Sequence, residues 1–220
     1  MNDAPALVGT NLTYVADGSV CLRDVSVRIA WRAVTAICGP NGSGKTTLLE
    51  LLAGVRAPTS GRVICADSAA LVLQRTMVPS ALPVTVGDVV EMGTWRAGLR
   101  LTRKQRRSRT AEALARVDLA DVAGRPFQTL SGGQRQRVLI AQGIAQRARI
   151  FLLDEPAAGL DQGSYRWMRE FLREQAIAGA AVVLVTHDAD DIAAADSVIE
   201  LRAGHRYDAS DGWAESGVLR

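Results

Sequence analysis

At 220 residues the chain has room for one domain, or one domain with a subdomain set into it, and is too short for more. With 48% hydrophobic and 22% charged residues it reads as a globular chain, neither disordered nor membrane-spanning. The net charge of +3 is spread out except for one basic run, Arg100 to Arg109, and by itself gives no reason to invoke nucleic acid.

The opening segment MNDAPALVGTNLTY has no basic region followed by a long apolar run, so the expectation is a protein that stays in the cytoplasm. Cys21, Cys38 and Cys65 are odd in number, widely spaced and match no zinc or disulfide pattern, which makes them reduced thiols. Among 26 basic residues only Lys45 and Lys104 are lysine, so a lysine stands out against the chain's strong preference for arginine.

The first elements have β character: Leu12 to Tyr14 and Val25 to Ile29 suggest a small β-layer, followed by a short apolar run at Ala33 to Cys38. That run feeds Gly39-Pro40-Asn41-Gly42-Ser43-Gly44-Lys45-Thr46, which matches G-x-x-x-x-G-K-[ST] and is followed by Thr47 and by Leu48, Leu49, Leu51 and Leu52 at helical spacing. Glycines let the backbone curl so that its N–H groups face inward, and the next helix presents its positive end to phosphate. Lys45 can then reach the β- and γ-phosphates of ATP, while the Thr46 hydroxyl can ligate Mg²⁺.

Further apolar runs lie at Ala70 to Leu73, Ile150 to Leu153 and Ala181 to Val185, as suits parallel strands covered on both faces. From about 79 to 143 the pattern turns helical, with Thr102 and Gln105 at capping-box spacing before Leu114 and Val117. The expected architecture is therefore one α/β domain over 1–220. Its core is formed by about 1–78 and 144–220, it carries a small antiparallel β-subdomain, and an α-helical subdomain is inserted over about 79–143.

Asp154 and Glu155 close the Ile150 run, and Pro156 helps to end it. Open α/β sheets bind ligands at that edge, so both acids can meet the phosphate loop. Asp154 is suited to hold Mg²⁺ and Glu155 to activate a water for in-line attack on the γ-phosphorus.

Leu130-Ser131-Gly132-Gly133-Gln134 resembles the signature sequence of ATP-binding cassette (ABC) proteins, and the likeness then spans nearly the whole chain. Ser131 and Gln134 also have capping-box spacing ahead of Val138, Leu139, Ile140 and Ile144. The resemblance implies the α/β fold of phosphate-loop ATPases and a homodimer in which Ser131 to Gln134 cap the γ-phosphate of ATP held by the other subunit. It further implies that Gln74 is the Q-loop glutamine, a ligand of the Mg²⁺ and part of the catalytic set. Ala158-Gly159-Leu160-Asp161 matches the D-loop, His187 the switch histidine that senses the γ-phosphate, and Tyr14 the aromatic that stacks on adenine. Two departures stand out: Ala30-Trp31-Arg32 occupies the place of a glycine turn, and the stretch between Gly61 and Gln74 is short enough to trim a β-hairpin.

Met77 to Val90 resembles the permease-gripping region of importers of zinc, manganese and iron chelates, and the compact segment before Gln74 resembles most the ATPase of Azt-type zinc importers. The implied partners are an integral-membrane permease and, indirectly, a metal-binding substrate-binding protein, with the chain peripheral to the cytoplasmic face of the membrane. Two histidines and no clustered cysteines do not make this chain a carrier of the metal itself. The basic run has no interleaved aromatics for base stacking, and no nucleic-acid partner is expected. The alternatives in view are manganese or iron-chelate import, a non-transport cassette acting on ribosomes or DNA, and a module that binds nucleotide without hydrolysing it.

Overall fold

Ile150–Asp154 and Ala181–Val185, each buried along its whole length, lie inside a sheet with five parallel strands. The five are β3 (Ala33–Cys38), β5 (Ala69–Val72), β6 (Ile150–Asp154), β7 (Ala181–Val185) and β8 (Ser197–Arg202), and β9 (His205–Tyr207) adds an antiparallel edge. The spatial order is β5-β6-β7-β3-β8-β9. The computed structural model describes residues 4–73, 83–95 and 100–207.

Alternate side chains of one strand go to two different cores. Ile150 and Leu152 of β6 and Ala181, Val183 and Val185 of β7 face a cluster with Leu48, Leu49, Leu51 and Leu52 of α1 (Lys45–Leu52). That cluster also holds Leu7, Leu12, Leu22 and Val25 from the antiparallel sheet of β1 (Leu7–Ala16), β2 (Ser19–Ile29) and β4 (Ser60–Cys65), ordered β2-β1-β4. Phe151, Leu153, Val182 and Leu184 point the other way, into a core shared with four helices. These are α2 (Val86–Met92), α3 (Arg103–Arg116), α4 (Gly132–Ala145) and α5 (Gln162–Ile177). The continuous apolar runs of the sequence thus have a direct cause.

Helices α2, α3 and α4 pack on one another, and α4 also rests on the parallel sheet. Gly143 lies so close to it that a Cβ would stand 2.9 Å from the Ala70 methyl and 3.2 Å from the Phe151 ring. At the other end of the group a Cβ at Gly93 would fall 2.1 Å from the Gln142 carbonyl oxygen, so α2 and α4 touch backbone to backbone. Both expected capping boxes close: Gln105 N–H donates to Thr102 Oγ1 at 3.2 Å and Thr102 N–H to Gln105 Oε1 at 2.8 Å, with the same reciprocal pair at Ser131 and Gln134.

Only Ala66, Asp67 and Ser68 separate β4 from β5, and the antiparallel sheet has three strands among the described residues. This agrees with a shortened β-hairpin before Gln74. At the other departure, Ala30-Trp31-Arg32, Arg32 itself adopts a left-handed conformation, φ 60°, at a cost of roughly 1 kcal/mol. Its N–H donates to the Ala180 carbonyl at 2.9 Å, and Arg149 lies over the Trp31 ring at 4.7 Å, so the turn is held without glycine.

Candidate functional site

Because β7 lies between β6 and β3, the residues following these three strands converge on one edge of the sheet. The phosphate loop leaves β3, Asp154 and Glu155 end β6, and Thr186 and His187 follow β7. Backbone hydrogen bonds tie these exits together: Thr186 N–H donates to the Ile37 carbonyl at 3.1 Å and Glu155 N–H to the Val185 carbonyl at 3.0 Å.

In the loop, Gly39, Gly42 and Gly44 have φ of 139°, 78° and 98°, which glycine adopts without strain. Space is a second constraint at Gly39, where a Cβ would lie 2.1 Å from the Leu201 carbonyl oxygen, and at Gly44, where it would meet Leu22 and the Cys21 carbonyl. Lys45 is 7% exposed, and its ammonium donates to the Gly39 and Pro40 carbonyls at 2.8 and 2.9 Å. The loop is thus already wrapped around its cation. Ser43 Oγ is buried with no protein partner.

Thr46 Oγ1 donates to Asp154 Oδ2 at 3.0 Å, across 108 residues of sequence. Asp154 is 7% exposed, and burial holds its carboxyl above the usual carboxylate range. The Thr46 hydrogen bond pulls the other way, Glu155 and Glu50 add to the rise, and Lys45 opposes it. A carboxyl raised in the folded state binds its proton more tightly there than in the unfolded chain. Its contribution to stability is therefore greatest in acid and is lost as pH rises through the folded value. The expected outcome for Asp154→Asn, without nucleotide or divalent cation, is a higher unfolding midpoint than the parent protein at neutral pH. The gap closes as pH falls towards about 4, where the parent carboxyl is itself protonated. Thermal unfolding across pH checks this.

Glu155 has φ 42°, a left-handed conformation that costs a non-glycine residue about 1–3 kcal/mol. It is fixed by the bond to Val185 and by Ala158 N–H, which donates to the Glu155 carbonyl at 3.1 Å. Its carboxylate Oε1 stands 3.9 Å from His187 Nδ1, beyond hydrogen-bond range, and the His187 side chain is 76% exposed. Both line a cavity of about 300 Å³ together with Gly159, Gln162, Tyr165 and Thr186.

Ser131 to Gln134 and Asp161 form a second cluster. Asp161 caps α5, accepting from Ser164 N–H and Oγ at 2.9 Å each. A Cβ at Gly133 would stand 2.1 Å from Ser164 Oγ, so the start of α4 abuts the start of α5. Ser131 and Gly132 are exposed.

Tyr14 lies on β1 opposite Leu22, the residue whose side chain closes on Gly44, and the Tyr14 hydroxyl accepts from Arg56 at 2.9 Å. Nothing in the sequence signalled that arginine. Gln74 and the first part of the Met77 to Val90 region, 77–82, lie outside the described residues.

A glycine loop between strand and helix, an acid pair at the end of a neighbouring strand and a histidine after the strand between them define a nucleotide-hydrolysing phosphate-loop protein. The family model described as ABC transporter matches residues 22–158, more than half of the chain. The chain belongs to the ABC transporter family, as an ATPase of the α/β cassette fold.

The zinc import ATP-binding protein ZnuC of Ruegeria pomeroyi is 37% identical over 206 residues, 92% of this chain and 77% of that one. The hemin import ATP-binding protein HmuV of Streptomyces coelicolor is 43% identical over 202 residues, 85% of this chain and 71% of that one. Among solved structures, an ATP-binding cassette captured as a dimer in a post-hydrolysis state with ADP and Pi superposes with a TM-score of 0.80 at 26% identity. That match covers 92% of this chain and 97% of the other. Among the described residues no helix is long and apolar enough to cross a membrane, and no group of three or more His, Cys, Asp or Glu side chains could hold a metal ion.

Proposed function

We propose that this chain is the ATP-hydrolysing subunit of a zinc importer, working as a homodimer against an integral-membrane permease at the cytoplasmic face of the membrane. The observation that carries its chemistry is the convergence of Lys45, Thr46, Asp154, Glu155 and His187 on one sheet edge. The cargo reading rests on the likeness to the zinc import protein over nine-tenths of the chain. A substrate-binding protein outside the membrane would choose the metal.

In this reading the phosphates of ATP replace the Gly39 and Pro40 carbonyls as partners of Lys45, and the N–H groups of Gly42 to Thr47 close on them. Tyr14 stacks on adenine. Thr46 and Asp154 suit a Mg²⁺ ion, because two oxygen donors, one of them a buried acid, already meet there. Gln74 is the further oxygen ligand expected from the sequence. The bound ion would neutralise charge on the β- and γ-phosphate oxygens.

Glu155 accepts a proton from the attacking water, whose oxygen bonds to the γ-phosphorus as the bond to the β–γ bridging oxygen breaks, giving ADP and phosphate. His187 donates a hydrogen bond to a γ-phosphate oxygen. Ser131 and Gly133 of the partner subunit complete the shell, with Asp161 lining the seam between subunits. Dimer closure is passed to the permease through the Gln74 to Trp95 region, and we propose that the helical insertion, about 79–143, moves as the unit that carries it.

Uptake of zinc, manganese and an iron chelate by cells with and without this chain tests the cargo. The expected result is loss of zinc uptake alone, restored by the intact chain and not by Glu155→Gln. Loss confined to an iron chelate would move the cargo to the class named for the hemin relative.

A further inference from the structure

Asp191, in the first turn of α6 (Ala189–Ala194), is 3% exposed, yet its carboxylate takes no part in the chemistry above. It gathers three donors from two separate segments, α5 and the stretch after β7. Oδ1 accepts from the Tyr165 hydroxyl of α5 at 2.8 Å and lies 3.2 Å from Arg169 Nε, while Oδ2 accepts from Thr186 Oγ1 at 3.1 Å. Burying this charge is costly unless its partners are in place, so the arrangement is rigid while it is complete.

Two features give the arrangement a direction. Thr186 directly precedes His187. Its N–H is bound to the Ile37 carbonyl at the end of β3, and its hydroxyl accepts from Asp188 N–H at 3.1 Å. Fixing the Thr186 side chain therefore fixes the backbone on both sides of His187. Tyr165, at the other end, follows Ser164, against which Gly133 packs, and its N–H donates to the Asp161 carbonyl at 2.9 Å. Burial first, and the bond to Asp191 second, push the Tyr165 phenol above its ordinary range, so it remains a donor at any physiological pH.

We propose that Tyr165, Asp191 and Thr186 are positioning residues for hydrolysis, forming a relay that ties the signature and D-loop end of α5 to the alignment of His187. The inference rests on His187 acting at the γ-phosphate. Through this relay, the segment that meets the partner's nucleotide and the histidine that meets the chain's own nucleotide share one rigid connection. Engagement at one site would thereby set the other.

The test is steady-state Mg²⁺–ATP hydrolysis by the full chain. Tyr165→Phe keeps the ring and removes only the hydroxyl, and it is expected to lower kcat about tenfold, the effect of about 1.4 kcal/mol, with KM changed by less than about twofold. Thr186→Val has a similar effect, and Thr186→Ser, which keeps the hydroxyl, retains more activity than Thr186→Val. In a His187→Ala background Tyr165→Phe has no further effect, since the relay acts through the histidine.

Multiplying losses in the double variant, or full kcat in Tyr165→Phe, would overturn the relay while leaving His187 in place. Full turnover in His187→Ala would instead remove the histidine assignment, and the relay with it. A second readout does not depend on residual activity: the chain has two histidines, and in nucleotide-bound protein Tyr165→Phe shifts the ring resonances of His187 and not those of His205. An unmoved His187 signal overturns the proposal.

Discussion

Glu155→Gln lowers the steady-state turnover of Mg²⁺–ATP by about 10²- to 10⁴-fold, the range expected when a general base is lost. The amide matches the carboxylate in size and preserves the left-handed backbone and the bond from Glu155 N–H to Val185, so the change falls on basicity and not on shape. Nucleotide binding persists, because Lys45 and the loop are untouched. With hydrolysis slowed, the closed state accumulates, and light scattering finds a monomer without nucleotide and a dimer with Mg²⁺–ATP. Undiminished turnover would move the proton acceptor away from Glu155.

The features that were legible in the sequence are those written in contiguous residues. The phosphate loop, the acids after β6 and the capping box at Ser131 each need one short segment, and each takes the expected local form. The limits of the four short apolar runs were legible to within a residue, whereas β1 and β2 start well before the stretches read at Leu12 and Val25, and β4, β8 and β9 were not read. The run read as Ala70 to Leu73 forms a strand over Ala69–Val72, because parallel pairing of Ala69 with Ile150 decides its start. Contacts created by packing were not legible. Tyr165 and Asp191 are 26 residues apart, and only the docking of α5 beside α6 brings them together. The burial of Gly133 against Ser164 likewise depends on where α4 and α5 cross, and Arg56 reaches Tyr14 over 42 residues. The turn at Arg32 was legible as a place where glycine is missing, but the Ala180 carbonyl that accepts from its N–H, 148 residues away, was not.

Mixing two inactive variants, Ser131→Arg and Lys45→Ala, restores hydrolysis. By helix geometry the N–H groups of Gly132 and Gly133 have no acceptor within α4, and with Ser131 and Gly132 exposed that helix end is fitted to an anion presented from outside the chain. Ser131→Arg removes the cap and fills that space, so its own dimer fails to close. Lys45→Ala removes an ammonium that makes charge-assisted hydrogen bonds, worth about 1.5–3 kcal/mol each, to oxygens in the loop, and turnover falls at least about 100-fold. In a mixed dimer, the intact loop of the Ser131→Arg chain faces the intact signature of the Lys45→Ala chain. Random pairing of equal amounts makes about half the dimers mixed, each with one good site, so recovery approaches about a quarter of the parent rate. Phosphate release from the mixture, measured against each variant alone, gives the result. A mixture as silent as its components would return Ser131 to a role within its own chain, where its hydrogen-bond partner is Gln134.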